Sequence, residues 1–135
     1  MGISRTGRIP SECRGGYAVT SRDVPVYEPG DVVFGADPYK GDEAARPWLI
    51  ISNHDGRPFH GEQYIVLTLT TKSWLDGLIG IDADDWIHGG TPTDSRIVLW
   101  GVQSIHRTDI DYWQGRLVDA VTDDAVDRFI DYLLG

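Results

Sequence analysis

Cysteine occurs once and lysine twice in these 135 residues, glutamate only four times, and no apolar run approaches the length of a membrane span. A lone Cys13 excludes an internal disulfide and any multi-cysteine zinc site, and the N-terminal stretch offers no apolar segment for a signal peptide. A cytoplasmic protein is the expectation. The four histidines (His54, His60, His88, His106) lack metal-ligand spacing, and no phosphate-cradling glycine loop or serine-nucleophile elbow is present, so no metal or other cofactor is expected.

The charge that is present is of an unusual kind. Seventeen of the 21 acidic residues are Asp, and ten of the 12 basic residues are Arg. A net charge of −9 ordinarily argues against a nucleic-acid partner, since phosphate binding draws on basic patches. An Asp-rich, Lys-poor chain also fits a halophilic, high-salt cytosol, where screening weakens self-repulsion and a large net charge maintains solubility. On that reading the acidity describes the solvent rather than the partner. The "DADD" run (Asp82, Asp84, Asp85) lacks the glycine and terminal glutamate of a calcium loop and reads as solvated surface.

The chain is long enough for one domain. Residues 1–26 carry Arg5, Arg8, Arg14 and Arg22 without apolar periodicity, which predicts a basic, flexible arm on an acidic body of residues 27–135. In that body "PGDVVFG", "PWLIIS", "QYIVLTLTT", "LIGID" and "RIVLWGVQSI" read as short strands between glycine and proline turns, with Gly101 as a bulge. "TDDAVDRFIDYLLG" reads as a helix capped by Thr122, with Val126, Phe129, Ile130, Leu133 and Leu134 at helical spacing and Gly135 as its stop. The fold class is mainly β with α: a small, closed or half-closed barrel with a C-terminal amphipathic helix.

Arg46 stands before Pro47 at the mouth of a buried strand, so its backbone is held extended. Such a residue is either an edge arginine paired with a carboxylate or a cation aimed at a ligand. Trp74 and Trp86 flank the long middle loop, where they either stack nucleobases or cover the core.

The order "GDVVFGADPYKGDEAARPWLIISN", "YIVLTLTTK", "DSRIVLWGVQSIHRTDI" and a closing helix, over about residues 29–135, resembles the MazF/PemK family of toxins from type II toxin–antitoxin systems. The resemblance implies an SH3-like barrel that forms a homodimer, a small antitoxin as protein partner, and metal-independent, sequence-specific cleavage of single-stranded RNA; the lack of a membrane-length apolar run leads to the expectation of no membrane partner. Matched by position, the family's arginine falls on Arg46, its strand threonine on Thr70 and its first-loop glutamate on Glu43, which are the implied catalytic residues. Trp74, Trp86, Lys72, Arg57 and His54 are the candidates for RNA contact. One departure concerns the late strand: where members carry Asp/Glu-Gln-Ile-Arg, this chain has Trp100, Gly101, Val102 and Gln103. That departure keeps open an alternative, a non-catalytic RNA- or antitoxin-binding barrel. A CcdB-type gyrase poison is ranked lower, since that sub-family ends in Trp-Gly-Ile and this chain in Leu133-Leu134-Gly135.

Overall fold

The computed structural model describes residues 26–37, 41–53, 55, 57–59, 61–72, 76–91 and 94–135, with backbone alone at 41–44. The arm of residues 1–26 thus lies outside the described residues except for Val26. Seven strands follow in chain order: β1 (Asp31–Asp37), β2 (Gly41–Ile50), β3 (Gln63–Thr70), β4 (Ile79–Ile81), β5 (Trp86–Gly89), β6 (Ser95–His106) and β7 (Ile110–Leu117). A single helix, α1 (Asp119–Leu134), closes the described chain. The strands form one sheet in the order β4-β6-β3-β2-β1-β7-β5, and every pair is antiparallel.

Period-two alternation divides the apolar residues between two cores. Val32, Leu49, Leu67, Leu69, Ile97, Leu99 and Leu117 pack on one face of the sheet, with Ala125 of α1. On the other face Val33, Trp48, Ile50, Tyr64, Val66 and Ile105 form a second cluster. Ile79 and Ile81 of one edge strand share the first core with Trp86 of the other. The sheet must therefore curl until its two edges close on common side chains, which gives the half-closed barrel that the strand pattern predicts. Burial on both faces also explains why β2 reads as a continuous apolar run instead of an alternating one.

Strands β5 and β7 are absent from the sequence reading, and the helix differs from it in two ways. Thr122 does not cap α1: the helix begins at Asp119, and Thr122 lies inside its first turns, buried, with its hydroxyl directed to the Val118 carbonyl at 3.5 Å. The packed stripe is accordingly Val121, Thr122, Ala125 and Phe129, while Ile130, Leu133 and Leu134 remain exposed. Gly135 does terminate the helix, at φ +90° with its N–H donating to Asp131 O at 2.9 Å.

In "DADD", the Asp85 carboxylate accepts from the Asp82 N–H at 2.7 Å and so caps a short 3₁₀ turn. Gly101 sits in a broad bulge. Leu67 faces Val102 and Leu69 faces Ile97, so two steps along β3 correspond to five along β6. Thr68 fixes this irregularity by donating to Gly101 O at 2.8 Å, and a Cβ at Gly101 would stand 3.0 Å from the same hydroxyl oxygen.

Candidate active site on strands β2, β3 and β6

Trp48 pairs with Thr68 across β2 and β3, where that ladder ends, and period-two alternation puts Arg46 and Thr70 on the same face of the sheet as that pair. Thr70 pairs in turn with Arg96 on β6, and Arg96 with Gly80 on β4. On the far side Arg46 pairs with Gly35 of β1. Residues directly across a sheet share a face, so the pair Gly35–Arg46 and the run Thr70–Arg96–Gly80 lie on one face, opposite to that of Leu69 and Ile97. That face carries one hydroxyl and two guanidinium groups.

Arg46 is the restrained member. Its Nε lies 3.6 Å from Oδ2 of Asp37, which is an ion pair beyond hydrogen-bonding distance, and its Cζ stands 6.0 Å from the Trp48 ring centroid. The Nε is buried and has no hydrogen-bond partner among the described residues. Trp48 is itself anchored, fully buried, with its indole N–H directed to Gly35 O at 3.4 Å. With Nε turned toward Asp37, the two terminal nitrogens have no partner among the described residues, and they form the planar pair of donors that suits a phosphate. Thr70 accepts from the Lys72 N–H at 3.2 Å, a turn that ends β3 and leaves the hydroxyl proton available to donate elsewhere.

The structure sets Arg46 and Thr70 on one sheet face and adds to them two residues that the sequence does not reveal, Asp37 and Arg96. Only non-local pairing identifies them: Asp37 closes the β1–β2 turn, and Arg96 reaches Thr70 through the offset of the β6 bulge. Lys72 is exposed just beyond Thr70. Arg57 is exposed in the loop joining β2 to β3, at the end of that hairpin remote from Arg46. Trp86 is half-buried against the first core, where a Cβ at Gly115 would come within 2.9 Å of its ring, so in this structure it fills space. The Glu43 side chain, His54 and Trp74 lie outside the described residues. Of the residues at 100–103, Gly101 is used in the bulge, and Trp100 and Val102 are exposed.

A second polar network lies at the start of β1. Asp31, almost fully buried, accepts from Glu28 N–H at 2.8 Å, Trp113 Nε1–H at 3.2 Å and Arg116 at 3.1 Å. Burial raises the carboxyl above its ordinary pKa, with these donors and the Arg116 charge offsetting part of the rise.

No protein-family model matches the chain, and no curated protein matches it in sequence. Solved structures do match it in shape. An endoribonuclease in complex with its cognate antitoxin, from a Mycobacterial species, superposes with a TM-score of 0.59 at 20% identity, covering 83% of this chain and 96% of that one. An endoribonuclease from a Mycobacterial species gives 0.54 at 20% identity, covering 84% and 96%. The Mycobacterium tuberculosis toxin MazF-mt6 gives 0.54 at 21% identity, covering 75% and 96%. With its curled antiparallel sheet and C-terminal helix, the chain has the MazF fold.

Proposed function

We propose that the protein is the toxin of a toxin–antitoxin pair, an endoribonuclease that cleaves single-stranded RNA in the cytoplasm without a metal ion. The observation that carries this reading is that Arg46 and Thr70 share one sheet face, with the terminal nitrogens of Arg46 unpaired among the described residues. The fold shared with endoribonuclease toxins supports it, one of them held by its cognate antitoxin.

In this reaction the ribose 2′-oxygen bonds to the adjacent phosphorus and the bond to the 5′-oxygen breaks. The products are a 2′,3′-cyclic phosphate and a free 5′-hydroxyl. Negative charge accumulates on a five-coordinate phosphorus on the way. A guanidinium already oriented by Asp37 and Trp48 meets that charge with little reorganisation, an effect of a few kcal/mol, or about a hundredfold or more in rate. Thr70 donates to a non-bridging oxygen of the same phosphate. Glu43 is assigned to proton transfer or to holding Arg46.

A small antitoxin and a second copy of the chain complete the proposed assembly. Exposed Trp100, Val102, Tyr132 and Leu133 give the copy an apolar surface on β6 and α1, where Trp100 meets Tyr132 edge-on at 5.8 Å. No helix among the described residues is long and apolar enough to cross a membrane. The decisive experiment incubates purified protein with long single-stranded RNA in a chelator and maps the new 5′ ends. Recurrent cleavage at a short sequence, abolished by Arg46→Ala, is expected. Intact RNA would leave the alternative, a barrel that only binds, which the absence of an arginine at 100–103 favours.

A further inference from the structure

Beside Arg46 and Thr70, Arg96 is a charged residue for which neither a family pattern nor the ribonuclease reaction supplies a role. It stands directly across from Thr70 on β6, on the face that carries Arg46. Neighbouring strands are about 4.8 Å apart, so Thr70 and Arg96 leave the backbone side by side, and Arg46 stands on the same face one strand beyond Thr70. Long side chains from Arg46 and Arg96 can reach two phosphates of a strand that crosses this face.

The two arginines differ in restraint. Arg46 is held by Asp37 and the Trp48 ring. Arg96 is only half-exposed, yet it has no ion-pair or hydrogen-bond partner among the described residues. Its neighbour on β4 is Gly80, and a Cβ there would find nothing within 4 Å, so the space beside Arg96 on this face is open. A pre-oriented cation suits charge that appears only in the transition state, whereas an unpaired cation beside open space suits a charge present in the bound strand throughout.

We propose that Arg96 forms a second phosphate subsite, holding the RNA phosphate adjacent to the scissile one while Arg46 takes the scissile phosphate itself. The subsite rests on the ribonuclease reading. It makes Arg96 a ground-state binding residue, whose loss weakens RNA affinity without slowing the chemical step.

The test uses the full chain, a short RNA spanning a mapped cleavage site, and the same RNA made uncleavable by a 2′-deoxy substitution at that site. Affinity is measured from about 0.2 to about 2 M KCl for the wild type, Arg96→Gln, Arg96→Met and Arg96→Lys, with circular dichroism as the check on folding. Arg96→Gln and Arg96→Met should raise Kd and KM together by about tenfold, with kcat within about twofold. The slope of log affinity against log salt should flatten by about 0.7, the share of one single-strand phosphate. Arg96→Lys should restore most of the affinity and slope, since an ammonium serves a phosphate as a point charge. Unchanged Kd and slope in folded Arg96→Gln or Arg96→Met, in a protein whose wild type cleaves, would overturn the subsite alone. A fall in kcat at constant KM would overturn it too, by placing Arg96 on the reacting phosphate. A wild type that neither binds nor cleaves RNA removes the ribonuclease reading and the subsite together.

Discussion

Asp37 Oδ2 stands 3.6 Å from Nε of Arg46, and the carboxylate is the buried partner, its side chain 6% exposed against 32% for the arginine. The anion is thus fixed by the fold and the cation is turned by it. At this separation the pair acts through charge rather than a hydrogen bond, which orients the guanidinium plane without occupying its terminal nitrogens.

Replacing Asp37 by Asn should therefore act on RNA cleavage through Arg46. Single-turnover kcat is expected to fall about 10- to 100-fold with KM within a few-fold, because an unrestrained guanidinium loses its orientation toward the transition state. Circular dichroism melts should show a lesser loss of stability, about 1–2 kcal/mol, as the pair is partly exposed to water. A variant with normal kcat would show that Trp48 alone positions Arg46.

The Asp31 network predicts a pH dependence of stability. Burial raises the folded-state pKa above the unfolded one, so the folded chain binds a proton at Asp31 more tightly than the unfolded chain does. The stabilising contribution of that proton is complete below the unfolded pKa and is lost as pH rises through the folded value. Denaturant unfolding from about pH 4 upward should show the wild type losing stability relative to Asp31→Asn. Carbon NMR of the carboxyl should place its titration above the ordinary aspartate range.

Gly35→Ala is expected to destabilise the barrel severely. A Cβ at this position would lie 2.1 Å from the Asp109 backbone oxygen, and a backbone atom cannot rotate away. Overpacking of this kind typically costs about 1–3 kcal/mol or more, and Gly35 is the register partner of Arg46, so cleavage should fall with stability. Thermal melts and cleavage assays on one preparation would measure both.

The exposed end of α1 bears on assembly. Leu133 is 66% exposed and Leu134 82%, beside Trp100 at 47%. Light scattering should give about twice the 15.0 kDa chain mass, and Trp100→Asp or Leu133→Asp should shift the protein toward monomer while leaving the far-ultraviolet spectrum intact. A wild type that is monomeric at micromolar concentration would contradict the proposed dimer.

The sequence was most legible where burial is uniform. Strands β1, β2, β3 and β6 announce themselves through Val32, Val33, Trp48, Leu49, Ile50, Val66, Leu67, Ile97 and Leu99, all inside one of the two cores or at its boundary. Strands β5 and β7 do not, because Ile87, His88, Asp111, Tyr112 and Trp113 are exposed, and the ladders are interrupted between Trp86 and His88 and opposite Asp111. Regular alternation has no meaning in such irregular edges. The start of α1 was misread because Thr122 has the chemistry of a cap, whereas its burial against Gly30 and its bond to the Val118 carbonyl are tertiary matters. At the site, Arg46 and Thr70 could be singled out by motif order. Asp37 and Arg96 could not, because their partnerships depend on which residues of distant strands lie opposite each other.

The bulge in β6 works as a frame-setter. Along the first stretch of the β3–β6 ladder, paired positions sum to 169 (Leu67 with Val102), and beyond the bulge they sum to 166 (Thr70 with Arg96), a slip of three. In an unbroken ladder Thr70 would face position 99, since 169 − 70 = 99, and that residue is Leu99 of the apolar core. Parity then governs what evolution or design can do here. A single residue removed or added between Val98 and Gly101 must be taken up within the bulge; carried into the distal ladder, it would exchange the two sides of that strand, turning Arg96 inward and Ile97 out to solvent.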